Sequence, residues 1–442
     1  MSPRRWWIAG WYGGLLATAA LAQDQALSLE ALWQLARQRN LGLAQQELLR
    51  QQAVEELAIQ EVEHRPVVSS QAGYGYTSAV ARLPIEIPGI GRPAAGTRNR
   101  YEAAVVVEQP LYTGGRLAQQ SEAALQLVRA QEAQQQVALA QVLFQVGQLY
   151  YQVQLNHTQQ QILGEAMERA GLHLLRARAR WAASQGTPFD TLEVVNRHLQ
   201  LYTQAQELAD LELVLRLRLG RLLDLDPPPV LAAEPAFPTI LPADSLALLQ
   251  DAALRQRPEL RQLAALRAAQ ARRLAALEAL RRPQVYANAS YRYGRPGVDF
   301  FRDDWMGYYT VGLNARWQLW DWGQDQGQVE KARLEGRRLE TQDRQLRAEI
   351  HQQVAELGTR LRSAARQLEL QAQLVAQERE RERLVGQSYT QGQATSMDLS
   401  NAQSALTAAQ LALQQSRIQW QELRLQLEFA VGSLAAHLQE ED

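Results

Sequence analysis

Between Arg116 and Ser184 the chain carries no proline, and Gly147, Gly164 and Gly171 are the only glycines there. Such a run can form one continuous helix, and at about 1.5 Å per residue it would reach about 100 Å. Gln324–Tyr389 behaves the same way. In that second run Leu339, Leu346, Ile350, Val354, Leu357, Leu361, Ala365 and Leu368 recur at steps of seven or of three and four, a coiled-coil-like seam. The other faces, rich in Gln, Arg and Glu, suit water. Helices average only 11–12 residues, so this length argues against a compact globule. The long helices need apolar partners throughout, and Leu41–His64, Thr191–Leu222 and the segment after Pro258 supply them.

The chain also repeats itself, which decides the architecture before any local reading does. RPVVSSQAGYGYTS from Arg65 is matched 217 residues later by RPQVYANASYRYGR from Arg282. QPLYTGGR (Gln109–Arg116) is matched at an offset of 208 by WQLWDWGQ (Trp317–Gln324), with Leu111 meeting Leu319 and Gly115 meeting Gly323. The lost residues fall in turn-rich loops between. A weaker match pairs QGTPFDTLEVVNRHL with QGQATSMDLSNAQSAL at an offset of 207, Leu192 against Leu399. The expected organisation is a first repeat at 23–225, a Pro-rich linker at 226–243 and a second repeat at 244–442. The fold class is mainly α, each repeat reading short helix, helix, strand, strand, very long helix, tight turn, helix.

The strands, expected near 65–78, 100–112, 283–294 and 307–320, alternate. Tyr309, Val311, Leu313, Ala315, Trp317 and Leu319 share one face, and Thr310, Gly312, Asn314, Arg316 and Gln318 the other. About ten residues is what a tilted membrane strand needs. A soluble hairpin packed on a helix fits the alternation as well. Export and aromatic strand ends favour the membrane: Tyr74, Tyr76, Tyr291 and Tyr293 lie toward one end, Trp317, Trp320 and Trp322 toward the other, as aromatic girdles do. Four strands close no barrel and open edges are not tolerated in lipid, so copies would have to pool strands. Two copies give eight and three give twelve, and the count alone does not choose.

Export is read from the first 22 residues. Arg4 and Arg5 precede WWIAGWYGGLLATAALA, and Ala20-Leu21-Ala22 is a small-residue cleavage site. This is the pattern of a signal peptide, the alternative being a single N-terminal anchor. The absence of cysteine leaves no disulfide, thiolate metal site, Cys nucleophile or Cys lipid anchor. A net charge of -1 gives no nucleic-acid footprint. None of the six His falls in an H-x-x-x-H pattern, and no G-K-[ST] follows Gly114-Gly115. The chain therefore reads as no enzyme, with no cofactor and no metal. Gly114, Gly115 and Gly323 read as strand-to-helix turns, and Asp321-x-x-Gln324 has the spacing of a capping box.

Taken together, the duplicated order, the Arg-Pro after each shorter helix, the LYTGGR and LWDWGQ steps and the Gly392-x-x-x-x-x-Asp398 turn resemble the TolC-like outer-membrane efflux family. The resemblance covers essentially the whole chain after the signal. It implies a homotrimer with a shared twelve-stranded β-barrel in outer-membrane lipid, continuous with a long coiled-coil α-helical barrel in the periplasm. Such a chain would be the passive exit duct of a tripartite efflux pump or type I secretion system, docking on a periplasmic adaptor (membrane fusion) protein and an inner-membrane pump. A periplasmic coiled-coil adaptor is the alternative. The resemblance puts Asp398 at the periplasmic entrance constriction. Asn401 stands where the family often has a second acid, and Ala394 where some members have a basic lock residue. Asp190 is the first-repeat neighbour. Asp398 reads equally as a first-turn residue of the returning helix. Gly186, Gly392 and Tyr389 mark the turn tips, expected either to contact the adaptor or to be ordinary hairpin turns.

Overall fold

A computed structural model describes residues 27–82, 84–86, 88–89, 94–231, 246–299 and 302–435. The signal segment, most of the Pro-rich linker and the last seven residues lie outside them.

The described helices come in two sets of equal lengths. In the first half they are α1 (Leu29–Arg39, 11 residues), α2 (Leu41–Val62, 22), α3 (Arg116–Ala182, 67) and α4 (Pro188–Leu223, 36). In the second they are α5 (Leu246–Gln256, 11), α6 (Pro258–Ala279, 22), α7 (Gln324–Thr390, 67) and α8 (Ser396–Val431, 36). Between α2 and α3 lie β1 (Val67–Tyr76), the short β2 (Ala81–Arg82) and β3 (Ala94–Ala95), and β4 (Asn99–Tyr112). Between α6 and α7 lie β5 (Gln284–Arg295) and β6 (Met306–Arg316). Among the described residues no helix is long and apolar enough to cross a membrane.

Residues 48–133 and 261–344 form one compact unit; the remaining described residues form the other. The first of these holds an antiparallel sheet in the order β1-β4-β5-β6. The ladder between β5 and β6 runs from Gln284↔Arg316 to Gly294↔Met306. The expected strand through Leu319 therefore stops at Arg316. The reason is local: the next partner residue is Pro283, which has no N–H to donate. Leu111 is passed over where β4 meets β5, the register stepping from Pro110↔Tyr286 to Tyr112↔Val285. Past β4 the chain turns at Gly114 (φ 65°) and Gly115 (φ 90°). A Cβ on Gly114 would stand 2.7 Å from Arg282 Cβ, while Arg282 Nη1 donates to the Gly114 carbonyl at 2.8 Å. Glycine is required here both by the backbone conformation and by the approach.

In the other unit the seam read on α7 is buried. Ile350, Val354, Leu357 and Leu361 pack with Trp420, Leu423 and Leu427 of α8 and with Ala253 of α5. A second cluster joins Leu32 and Trp33 of α1 to Leu143 and Tyr150 of α3, Leu219 and Leu223 of α4, and Leu425 of α8. Trp33 Nε1 donates to the Leu143 carbonyl at 2.9 Å, satisfying the one polar atom of that buried ring. Arg257, only 6% exposed, fixes the end of α8. Its Nε donates to the Ala430 carbonyl and its Nη2 to Gln353 Oε1, both at 2.6 Å.

Candidate functional site

The sheet presents two chemically different faces. On one lie Tyr309, Val311, Leu313 and Ala315 of β6, with Val285, Ala287, Ala289, Tyr291 and Tyr293 of β5. Tyr101, Ala103, Val105 and Val107 of β4 continue it, as do Val68, Ser70, Ala72, Tyr74 and Tyr76 of β1. Its one charged residue is Arg295, paired with Tyr101 at the loop end of the face. Tyr309 is 78% exposed and Val311 77%, so within one chain this apolar surface is uncovered. The opposite face carries Ser69, Gln71, Glu102, Glu108, Asn288, Ser290, Arg292, Thr310 and Asn314. There Arg292 Nη1 meets Glu102 Oε1 at 3.1 Å, and the Ser290 and Thr310 hydroxyls are 2.8 Å apart.

Aromatic rings gather at both ends of the apolar face. At the end near the β5–β6 loop, Tyr74 and Tyr101 have centroids 5.0 Å apart, and Tyr293 stacks on Trp305 at 5.2 Å. Tyr101 also meets Trp305, at 5.9 Å. Trp305 lies in a loop, outside any alternation, so periodicity gave no means of placing it. At the other end Trp317 Nε1 donates to the Arg281 carbonyl at 3.0 Å, and Trp320 packs edge-on to Trp322 at 5.7 Å. There Gly323 adopts φ 84°. The Asp321 carboxylate caps α7 by accepting from the Gly323 N–H at 3.0 Å and the Asp325 N–H at 2.7 Å. These bonds, the larger one from Asp325, hold its pKa below the usual carboxylate range. The cap is real, but its donors are not those of the expected box with Gln324.

The helical hairpin turns form the second candidate site. Asp398 is the third residue of α8 and completes a capping box: Thr395 Oγ1 accepts from the Asp398 N–H, and Asp398 Oδ2 accepts from the Thr395 N–H at 2.9 Å. The Thr395 backbone bond first, and then its hydroxyl, hold the Asp398 carboxyl below its usual range. Thr187 and Asp190 build the same box at the start of α4, with Asp190 Oδ2 accepting from the Thr187 N–H at 2.9 Å. The two caps are 208 residues apart (398 against 190). The weak sequence match at 207 was thus displaced by one residue, and Leu399 corresponds to Thr191. Asn401 is exposed on the second turn of α8. Gly392 turns the second hairpin at φ 76°; Gly186 sits against Arg180 and Trp181 without a positive φ.

Contacts that local sequence could not reveal join the hairpins. Arg180 of α3 donates through Nη1 to the Tyr389 carbonyl at 2.9 Å, and its guanidinium lies 4.9 Å from the centre of the Tyr389 ring. His173 of α3 is 3.1 Å from Ser396 Oγ of α8 and meets Tyr389 edge-on at 5.3 Å. The Thr395→Ala variant should lose the cap and fray the first turn of α8 by about 1 kcal/mol. Asp398→Asn, which keeps an acceptor oxygen, should cost less. Hydrogen exchange at the Leu399 amide measures both.

Residues 249–433 match the family described as outer membrane efflux protein. No curated protein matches the sequence. Among solved structures, CusC, studied for the changes that accompany its folding and transmembrane channel formation, superposes with a TM-score of 0.79 at 16% identity, over 91% of this chain and 92% of that one. The outer membrane protein VceC of Vibrio cholerae gives 0.76 at 16% identity, over 91% and 96%. The open state of the MtrE outer membrane channel of Neisseria gonorrhoeae gives 0.74 at 18%, over 92% and 89%. Over residues 249–433 the chain thus matches the outer membrane efflux protein family, and along nine-tenths of its length it shares the fold of these solved structures.

Proposed function

We propose that the chain is the outer-membrane exit duct of a tripartite efflux pump or type I secretion system, a passive conduit served by a periplasmic adaptor and an inner-membrane pump. The observation that carries this reading is the sheet: four antiparallel strands whose edge members β1 and β6 each pair on one side only, with one apolar, uncovered face. The 11 residues of β6 at about 3.3 Å each extend about 36 Å. Inclined at about 40°, they rise about 28 Å, close to the height of the apolar band of a membrane barrel. Unpaired edges and an apolar outer face are both resolved if copies pool their sheets, since every backbone group in lipid must find a partner. Three copies make a closed barrel of twelve strands, with Tyr74, Tyr76, Tyr291 and Tyr293 at one lipid boundary and Trp317 and Trp320 at the other. A periplasmic adaptor would need no such face, and its coiled coil would be one hairpin, not two.

In this reading α3, α4, α7 and α8 build the periplasmic barrel. Asp398, Asn401 and Asp190 line its entrance, and the turns at Gly186, Gly392 and Tyr389 meet the adaptor. Asp398→Asn would then lower cation selectivity in a planar bilayer, while Thr395→Ala would act mainly on helix stability.

The absence of cysteine makes the assembly directly testable. Ala72→Cys at the centre of β1 is combined in turn with Tyr309→Cys, Val311→Cys and Leu313→Cys on β6, and outer-membrane fractions are oxidised. A covalent ladder ending at three copies is expected for the register that aligns. A ladder ending at two would mean eight strands, and monomers throughout would sink the pooled barrel.

A further inference from the structure

The His173 side chain is the one imidazole closed into a junction of several helices among the described residues, 2% exposed, with Ser396 beside it 4% exposed. It faces Ser396, the first residue of α8, across 3.1 Å, and the edge of Tyr389 at the end of α7. Charged groups surround it from each packed element. Arg176 and Arg180 belong to α3; Asp190 opens α4; Asp398 lies two residues beyond Ser396, its carboxylate turned to Thr395. The N-terminal end of α8 presents the positive end of a helix dipole, a poor place for a cation. Burial first, then Arg176, lower the imidazole pKa from 6.5 to about 4, with Asp190 opposing them. The ring is therefore neutral at neutral pH and forms one hydrogen bond that bridges the two hairpins.

We propose that His173 is a positioning residue of the hairpin tips: its neutral ring, bonded to Ser396, seats the first turn of α8 against α3 and Tyr389, sets where Asp398 stands, and releases that turn when protonated. The role of Asp398 rests on the reading of the tips as the duct entrance; the seating itself does not. The sign follows from proton binding. A released ring regains the ordinary value of 6.5 while the seated ring stays near 4, so release takes up a proton and is favoured as pH falls through that window. The seated state is full above 6.5. Its population relative to the released state drops about 30-fold between pH 7.5 and pH 5.

The test is hydrogen exchange on the assembled protein in detergent, followed over residues 389–402 at pH 7.5 and 5.0 and corrected for intrinsic exchange. The wild type should lose about 30-fold in protection at pH 5.0. His173→Gln, whose amide can occupy the place of Nε2 but does not titrate, should hold its protection within about threefold between the two pH values. Ser396→Ala should lose protection already at pH 7.5. A wild-type segment indifferent to pH, or a His173→Gln variant that keeps the wild-type pH response, would overturn the proposal. So would a Ser396→Ala variant as protected as wild type at pH 7.5. If His173→Gln does not assemble, the wild-type and Ser396→Ala arms still decide. Planar-bilayer conductance, recorded separately, distinguishes the two readings: no conductance at either pH counts against the duct while leaving the exchange result intact.

Discussion

If copies pool their sheets as proposed, Val311→Arg should eliminate the heat-sensitive oligomer from outer-membrane fractions, whereas Asn314→Arg, three residues along the same strand, should leave it in place. The two positions differ in face alone. Val311 pairs with Ala289 at the middle of the β5–β6 ladder and lies between Tyr309 and Leu313 on the apolar side. Asn314 pairs with Tyr286 on the polar side, and its Nδ2 donates to Asn288 Oδ1 at 3.3 Å. An arginine at the bilayer midplane costs about 2–4 kcal/mol on a barrel's lipid face. A symmetric oligomer suffers that cost once in every copy, so three copies would lose about 6–12 kcal/mol, comparable to the whole stability of a typical domain. In the proposed barrel the polar face lines the lumen, where an arginine would stay solvated. Comparison of unheated and heated samples by gel electrophoresis reads the result directly. The reverse pattern, with Asn314→Arg lost and Val311→Arg assembled, would invert the assignment of the two faces.

Arg257→Ala should be strongly destabilising, at about 2–3 kcal/mol. The guanidinium is buried and its pKa is lowered by that burial, with Glu259 pulling the other way. Its two 2.6 Å bonds reach Ala430, in the last turn of α8, and Gln353 on α7. Truncation leaves the buried Ala430 carbonyl without this donor, at about 1–3 kcal/mol, while the exposed Gln353 can turn to water. Nothing can slide in cheaply: Gly432 closes α8 at φ 85°, and even a Cβ built there would stand 3.1 Å from the Arg257 backbone nitrogen. Arg257→Lys keeps the charge but cannot reach both acceptors with one planar group, so an intermediate loss is expected. Exchange protection of the amides in 418–431 measures the series. A loss below about 1 kcal/mol for Arg257→Ala would mean that water replaces the guanidinium.

Periodic and local features were the legible part of this chain. The seam on α7, the alternation of β5 and β6, and the glycine turn after β4 each depend on residues within a few positions of one another, and each was readable. What ends an element was less so: β6 stops at Arg316 because its next partner would be Pro283, just ahead of β5, which has no N–H to give. The caps at Thr187 and Thr395 were only half read. Asp190 and Asp398 were noticed, but the one-residue displacement between the repeats became clear only once both boxes were seen to close. The contacts of His173 with Ser396 and of Arg180 with Tyr389 span 223 and 209 residues. No pattern within either helix encodes such a meeting. The position expected to hold a basic lock residue in the second hairpin is Ala394, and the guanidinium that does engage that turn comes from α3.

The matched helix lengths restrict how such a gene can drift. A seven-residue deletion in α3 alone would shift its lower part by about 10 Å, pulling Arg180 away from Tyr389 and His173 away from Ser396. The same deletion made also in α7 would preserve those meetings. Length changes in the helices are thus tolerated only as coordinated pairs, like rungs removed from both sides of a ladder. The segments joining β1 to β4 and β5 to β6 already differ in length between the halves and bear no such obligation. Insertions carrying new epitopes, tags or surface chemistry belong there, clear of helix register and of the four-stranded sheet, the short β2–β3 pair apart.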